Sequence, residues 1–179
     1  YGMAPDKYWE ASSIGQVYQL IGLEPTEEAK MIAAGDHCLY AAYHGMCPGI
    51  RKDDFIEFRM DFFRRKKGEK RFEREKDGAI RLAKKCKTIN LGNLTIVDLT
   101  PMTKKYYSWL ADVSCMLNLK FVTIQPHTNK EGMVKYFVGN LARSEINYFT
   151  NELVSQLGDE VLSVYGDPTR QFAGAIVCR

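Results

Sequence analysis

The stretch Asn93-Leu-Thr-Ile-Val-Asp-Leu-Thr-Pro constrains the fold of this chain more than any other segment. Its apolar and β-branched residues, ended by Pro101, predict a buried strand. Tyr106, Leu110, Val113 and Leu117 then recur at helical spacing, and Leu119-Lys-Phe-Val-Thr-Ile-Gln returns to a strand pattern. Strand, amphipathic helix and strand in immediate succession predict a parallel crossover pair in a central sheet. Met133-Val-Lys-Tyr-Phe-Val adds a third strand after a polar turn containing Pro126 and Gly132. Ile146, Phe149, Leu153 and Leu157 mark one more helix, followed by a short apolar tail.

The N-terminal half reads differently. Pro25-Thr-Glu-Glu opens a helix in which Thr26 caps and Glu27 and Glu28 favour the positive helix end. Met31, Ile32, Leu39, Tyr40 and Tyr43 supply its apolar stripe, and Gly45 with Pro48-Gly49 ends it. Phe55, Phe58 and Phe62 at helical spacing, behind a capping Asp53, predict a second helix. Arg64-Arg-Lys-Lys-Gly is an exposed break before a third helical stretch from about Glu69 to Lys85. The fold class that follows is α/β, a central mixed sheet flanked by helices, with a helical N-terminal half. A chain of 179 residues with 45% hydrophobic and 26% charged residues has the composition of one globular domain, expected over 1–179.

Composition also excludes. No apolar run reaches the roughly 18 to 20 residues of a membrane helix, and Tyr1-Gly-Met-Ala-Pro does not have the pattern of a signal peptide. Five cysteines, Cys38, Cys47, Cys86, Cys115 and Cys178, include no CxxC pair and predict reduced thiols in an intracellular setting. The start without an initiator Met and the end on Val177-Cys-Arg suggest a piece of a longer protein. Net charge is only +3, but the basic residues concentrate between Arg64 and Lys87, which predicts a local cationic surface.

Four residues suggest metal chemistry: His37 on the first long helix, Glu57 and Glu73 on the middle helices, and Asp98 inside the first strand. A carboxylate within an apolar strand is costly to bury unless it meets a cation or hydrogen-bond donors. Carboxylates with an imidazole form a hard site for Mg²⁺ or Mn²⁺, the histidine favouring manganese. Such a site orients water and stabilises charge on a phosphodiester.

The order Asp36-His-Cys-Leu-Tyr, Phe55-Ile-Glu-Phe or Arg71-Phe-Glu, Leu94-Thr-Ile-Val-Asp-Leu-Thr, Lys104-Lys-Tyr-Tyr and Leu119-Lys-Phe-Val-Thr-Ile resembles the N-terminal cap-snatching endonuclease domain of polymerases from segmented negative-strand RNA viruses. The resemblance runs from Ala34 to about Leu157. It implies a nuclease-like fold, Mn²⁺ or Mg²⁺ held by His37, Glu57 or Glu73 and Asp98, a catalytic lysine at Lys104 or Lys105, and RNA and other polymerase subunits or domains as partners. The chain departs from that family where a Pro-Asp pair is replaced by Lys84-Lys-Cys-Lys, and where Asp98 is followed by Leu99-Thr100 in place of an acid-x-lysine signature. Within that resemblance Asp77 is a candidate to take the place of the missing acid. Lys85 at that place would put an ammonium beside Asp98 in competition with metal, so a weak or lost site is expected.

Each residue also has a structural reading. His37 fits a surface or hydrogen-bonded core histidine; Glu57 with Asp61 and Glu73 with Asp77 fit solvated i,i+4 pairs; Asp98 fits a cap on the turn at Thr100-Pro101. Two other chemistries are open. Gly35-Asp-His-Cys-Leu-Tyr resembles the nucleophile segment of ovarian-tumour-type or viral papain-like cysteine proteases, with Cys38 as nucleophile and His127 as base. Cys38, His44 and Cys47 suggest zinc, without an evident fourth ligand. A non-catalytic alternative is RNA binding or polymerase docking through Arg64, Arg65, Lys66, Lys67, Lys70, Arg71 and Arg74, the competing reading being a solvated face balanced by Glu69, Glu73 and Glu75.

Overall fold

The computed structural model describes residues 5–127 and 132–178. The chain divides into two compact units, Tyr1–Arg74 and Glu75–Arg179. The class is α/β, with helices in the N-terminal half and a six-stranded mixed sheet flanked by helices.

The first unit contains α1 (Tyr8–Ala11), α2 (Ser13–Ile21), α3 (Glu27–His37), α4 (Leu39–Tyr43), α5 (Lys52–Lys67) and the start of α6 (Glu69–Lys85). Thr26 caps α3 as its sequence requires, its Oγ1 accepting the Ala29 N–H at 3.1 Å. The single helix expected to run on to Tyr43 is interrupted at Cys38, which has φ −144° and ψ 58°. Periodicity conceals the break because the Cys38 N–H still bonds the Ala34 carbonyl and the Ala42 N–H still bonds that of Cys38. Asp53 is not the cap of α5. The helix starts at Lys52 behind Arg51, and Asp53 and Asp54 occupy its first turn, where they complement the helix dipole. Gly68 stops α5 with φ +76°, a conformation that favours glycine. Tyr43 meets Phe55 edge-on at 5.4 Å, and Gly35 lies beside the same ring, where an added Cβ would make an ordinary contact at 3.5 Å.

The second unit holds β1 (Thr88–Leu91), β2 (Leu94–Asp98), α7 (Thr100–Lys105), α8 (Leu110–Met116), β3 (Phe121–Pro126), β4 (Met133–Gly139), α9 (Arg143–Tyr148), β5 (Glu160–Asp167) and β6 (Phe172–Cys178). The strand order is β1-β2-β3-β4-β6-β5. β2 and β3 are parallel, with Val97 opposite Phe121 and Asp98 opposite Val122, so the expected crossover pair is present. The remaining pairs are antiparallel. One sheet face carries Ile96, Val122, Tyr136, Val138, Ala175 and Val177 into a core closed by Ile146, Phe149 and Leu153. The centre of the expected turn between β3 and β4, residues 128–131, lies outside the described residues.

Two expectations are corrected here. The apolar tail is a hairpin, β5–β6: β6 pairs with β4 and β5, and it reads as a continuous apolar run because consecutive residues Ala173, Gly174 and Ala175, which alternate between its two faces, are buried. The last helix is present and unbroken, but it is not regular. After α9 the chain forms a π-turn at Phe149–Leu153 and a 3₁₀ turn at Val154–Gln156, which keep Phe149, Leu153 and Val154 buried.

Candidate nucleic-acid interface

Helices α3 and α5 of the first unit line a groove of about 900 Å³. Met31, Ile32, Phe58 and Phe62 form its apolar wall, while Arg59, Arg65 and Lys66 face Glu28 and Asp36 around it. Ala29, Ala33 and Ala34 of α3 are buried, and Gly35 sits in the lining of the groove. The last turn of α5 is wholly basic, Arg64 to Lys67, where cations meet the negative end of the helix dipole.

Phe62 remains 47% exposed on this wall. Two cations stack near it, the Arg59 guanidinium at 6.0 Å and the Lys66 ammonium at 5.7 Å from the ring centre. Arg59 also lies 5.4 Å from the ring of Phe63. An exposed aromatic ring between cations presents a π-face and positive charge together. The expected phosphate contacts divide accordingly. Arg65, Lys66, Lys70 and Arg71 are exposed. Arg64 and Lys67 are half-buried, and Arg64 is bound to Asp61, to Glu69 at 3.1 Å, and over Phe72 at 4.9 Å, which makes it a bracket for the α5–α6 corner.

The candidate metal ligands are distributed over both units. His37 ends α3, half-buried, its Nε2 enclosed and without a hydrogen-bond partner among the described residues; Glu57 is exposed on α5 and Glu73 half-buried on α6. In the second unit the Oδ1 of Asp98 accepts the Thr100 N–H at 2.9 Å, so this carboxylate serves the turn, as its structural reading has it. Cys86 stands near it: burial first, then the Asp98 charge, pushes the Cys86 thiol up. Lys85 and Asp77 are exposed on α6, and among the described residues no ion pair joins Lys85 to Asp98. Lys104 and Lys105 are exposed in the last turn of α7, with Lys105 at 5.4 Å over the Tyr106 ring. Among the described residues no three His, Cys, Asp or Glu side chains are grouped to hold a metal ion.

Cys38, the candidate nucleophile, is buried at the α3–α4 break with its Sγ 3.3 Å from that of Cys47. His127 follows β3 and its N–H donates to the Met133 carbonyl at 2.8 Å. Of the suggested zinc trio only Cys38 and Cys47 meet; the His44 ring packs at 4.3 Å on Tyr40. In the sequence Phe62 is legible as part of the helical stripe of α5, but Arg59 is not singled out and the two are not joined as a site, although their i,i+3 spacing, and the i,i+4 spacing of Phe62 and Lys66, announce neighbours on a helix. The suggested zinc trio already grouped Cys38 with Cys47, but as metal ligands; their direct thiol contact depends on the return of the chain through residues 44–51. No family model, curated protein or solved structure matches this chain.

Proposed function

We propose that this protein binds single-stranded RNA through the α3–α5 groove and the cations that follow it. Arg65, Lys66, Lys70 and Arg71 take phosphates, and Phe62 offers a ring on which a base stacks. The observation that carries this reading is the half-exposed Phe62 held between Arg59 and Lys66. Contacts of this kind neutralise the backbone and accept any base, so binding without strong sequence preference is expected. RNA, rather than another polyanion, is what the resemblance implies. The test is fluorescence anisotropy with a labelled single-stranded RNA at low salt. Phe62→Ala should weaken binding by about 1 kcal/mol, the lower end for loss of one stacked base. Equal affinities of wild type, Phe62→Ala and a Lys66→Ala/Arg65→Ala double variant would defeat the proposal.

A second reading, metal-dependent RNA cleavage, is favoured by the place of Asp98 at the end of β2, beside parallel β3 and before the lysines of α7. Calorimetric titration with Mn²⁺ decides it. Wild type should bind weakly and Lys85→Asp more tightly, with Asp98→Ala abolishing both, while absence of heat and of cleavage in all three would retire it.

A further inference from the structure

The two cysteines of the first unit face each other. Cys38 and Cys47 are each 2% exposed, and their sulfurs lie 3.3 Å apart. A disulfide bond is about 2.05 Å long, so the sulfurs need to close by a little over 1 Å. The backbone on either side can supply that movement. Cys38 occupies the irregular joint between α3 and α4, and Cys47 lies in the turn between α4 and α5, flanked by Gly45 at φ +69° and Gly49 at φ +74°. Gly45, Met46, Pro48 and Gly49 are all exposed, so a small opening of this turn admits a small oxidant to a thiol that is otherwise enclosed.

We propose that Cys38 and Cys47 are an intramolecular dithiol–disulfide couple, oxidised by a hydroperoxide and restored by a thiol reductant, that ties the α3–α4 joint to the turn before α5. The chemistry balances with hydrogen peroxide as the oxidant. The Cys47 thiolate attacks one peroxide oxygen, the O–O bond breaks, and the departing hydroxide takes a proton to become water, leaving Cys47 as a sulfenic acid. The Cys38 thiolate then attacks the Cys47 sulfur, the S–O bond breaks, and hydroxide again leaves as water with the remaining proton. The two sulfurs lose two electrons and the peroxide gains them. Cys47 is the first nucleophile for a physical reason: the hydrogen bond with Cys38 holds its thiol below the ordinary value, outweighing the opposite effect of burial. Cys38 is then placed as the resolving thiol by the same contact that activates Cys47. The role is independent of RNA binding and needs no metal.

The experiment uses the full chain, reduced and then exposed to hydrogen peroxide, followed by alkylation under denaturing conditions and mass spectrometry of a non-reduced digest. The expected result is a protein lighter by two hydrogens than the reduced form, a cross-linked peptide joining Cys38 to Cys47, and full reversal by dithiothreitol. In Cys38→Ser a sulfenic acid on Cys47 should be trapped by dimedone. Because the central measurement is made on wild type, it does not depend on the variant folding. Cys38 and Cys47 both alkylated after peroxide, a bond that includes Cys86, Cys115 or Cys178, or a disulfide between chains would overturn the proposal.

Discussion

The hydroxyl of Tyr8 belongs to a side chain only 4% exposed. Burial first, then the charges of Cys47, Glu27, Cys38 and Glu10, pushes its pKa from 10.0 up to about 12. An acid whose folded pKa is raised keeps its proton in the folded state after the unfolded chain has lost it. Its contribution to stability is therefore complete below pH 10.0 and is lost as pH rises to about 12, a decline of about 2–3 kcal/mol. Denaturant titrations across that window should show the slope in wild type and a shallower one in Tyr8→Phe. Tyrosinate absorbance should in parallel show a late-ionising component that is smaller by one tyrosine in the variant. Asp98 poses a different question at the same scale, since its carboxylate accepts the Thr100 N–H. Asp98→Ala should cost about 1 kcal/mol, as loss of such side-chain caps does, whereas Asp98→Asn retains an acceptor oxygen and should cost less than half of that. Chemical unfolding of the two variants reads the difference. Equal losses would show that the charge, not the hydrogen bond, is what the turn requires.

Among the elements, the corner between α1 and α2 is the most tightly specified. Ser12 donates to the Trp9 carbonyl at 2.8 Å and accepts the Gly15 N–H at 3.0 Å, which starts α2 where the short α1 ends. Gly15 is required there by space: a Cβ would collide with the Trp9 carbonyl, whose carbon would lie 2.8 Å away. Alanine is better than glycine inside a helix by about 1 kcal/mol, but an overlap with backbone outweighs that gain. Gly15→Ala should thus lower the melting temperature, and a rise would show that the corner relaxes freely. Elements of this kind were only partly legible in the sequence. Helix α5 was read from the spacing of Phe55, Phe58 and Phe62, but the break expected over residues 64–68 is Gly68 alone, because the basic residues continue the helix to Lys67; β2, α8 and β3 followed from periodicity and Pro101. β5 was not legible, because every residue from Glu160 to Gly166 is exposed and no alternation of apolar and polar positions results. A register shift between Val161 and Ser163 removes what pattern remained. The site shows the same division: Arg59, Phe62 and Lys66 are neighbours by helical arithmetic, whereas Cys38 meets Cys47 only after a break that hydrogen bonding on both sides conceals.

For the whole molecule, net charge understates the field that a nucleic acid would meet. Residues 64–87 hold twelve of the twenty-five Lys and Arg residues and only four of the twenty-two acids, so the rest of the chain is net negative. A polyanion is consequently drawn to one segment and repelled by the remainder, which orients the encounter as well as strengthening it. Four of the cations assigned to phosphates, Arg65, Lys66, Lys70 and Arg71, are exposed. With a single strand each neutralised phosphate contributes about −0.7 to the slope of log affinity against log salt, so a slope near −3 is expected from the four. Raising salt from about 50 to about 200 mM should then weaken binding roughly 60-fold. Lys66→Ala should flatten the slope by about 0.7, and Phe62→Ala should shift the line downward without changing its gradient, since stacking releases no counterions. Arg64→Ala should behave unlike either. Its guanidinium is engaged by Asp61, Glu69 and the Phe72 ring, so its loss should lower the melting temperature and leave the gradient nearly unchanged. Anisotropy titrations at four or so salt concentrations separate these three responses. A gradient that drops as much in Arg64→Ala as in Lys66→Ala would mean that Arg64 exchanges its intramolecular partners for phosphate, and the division between bracket and contact would have to be redrawn.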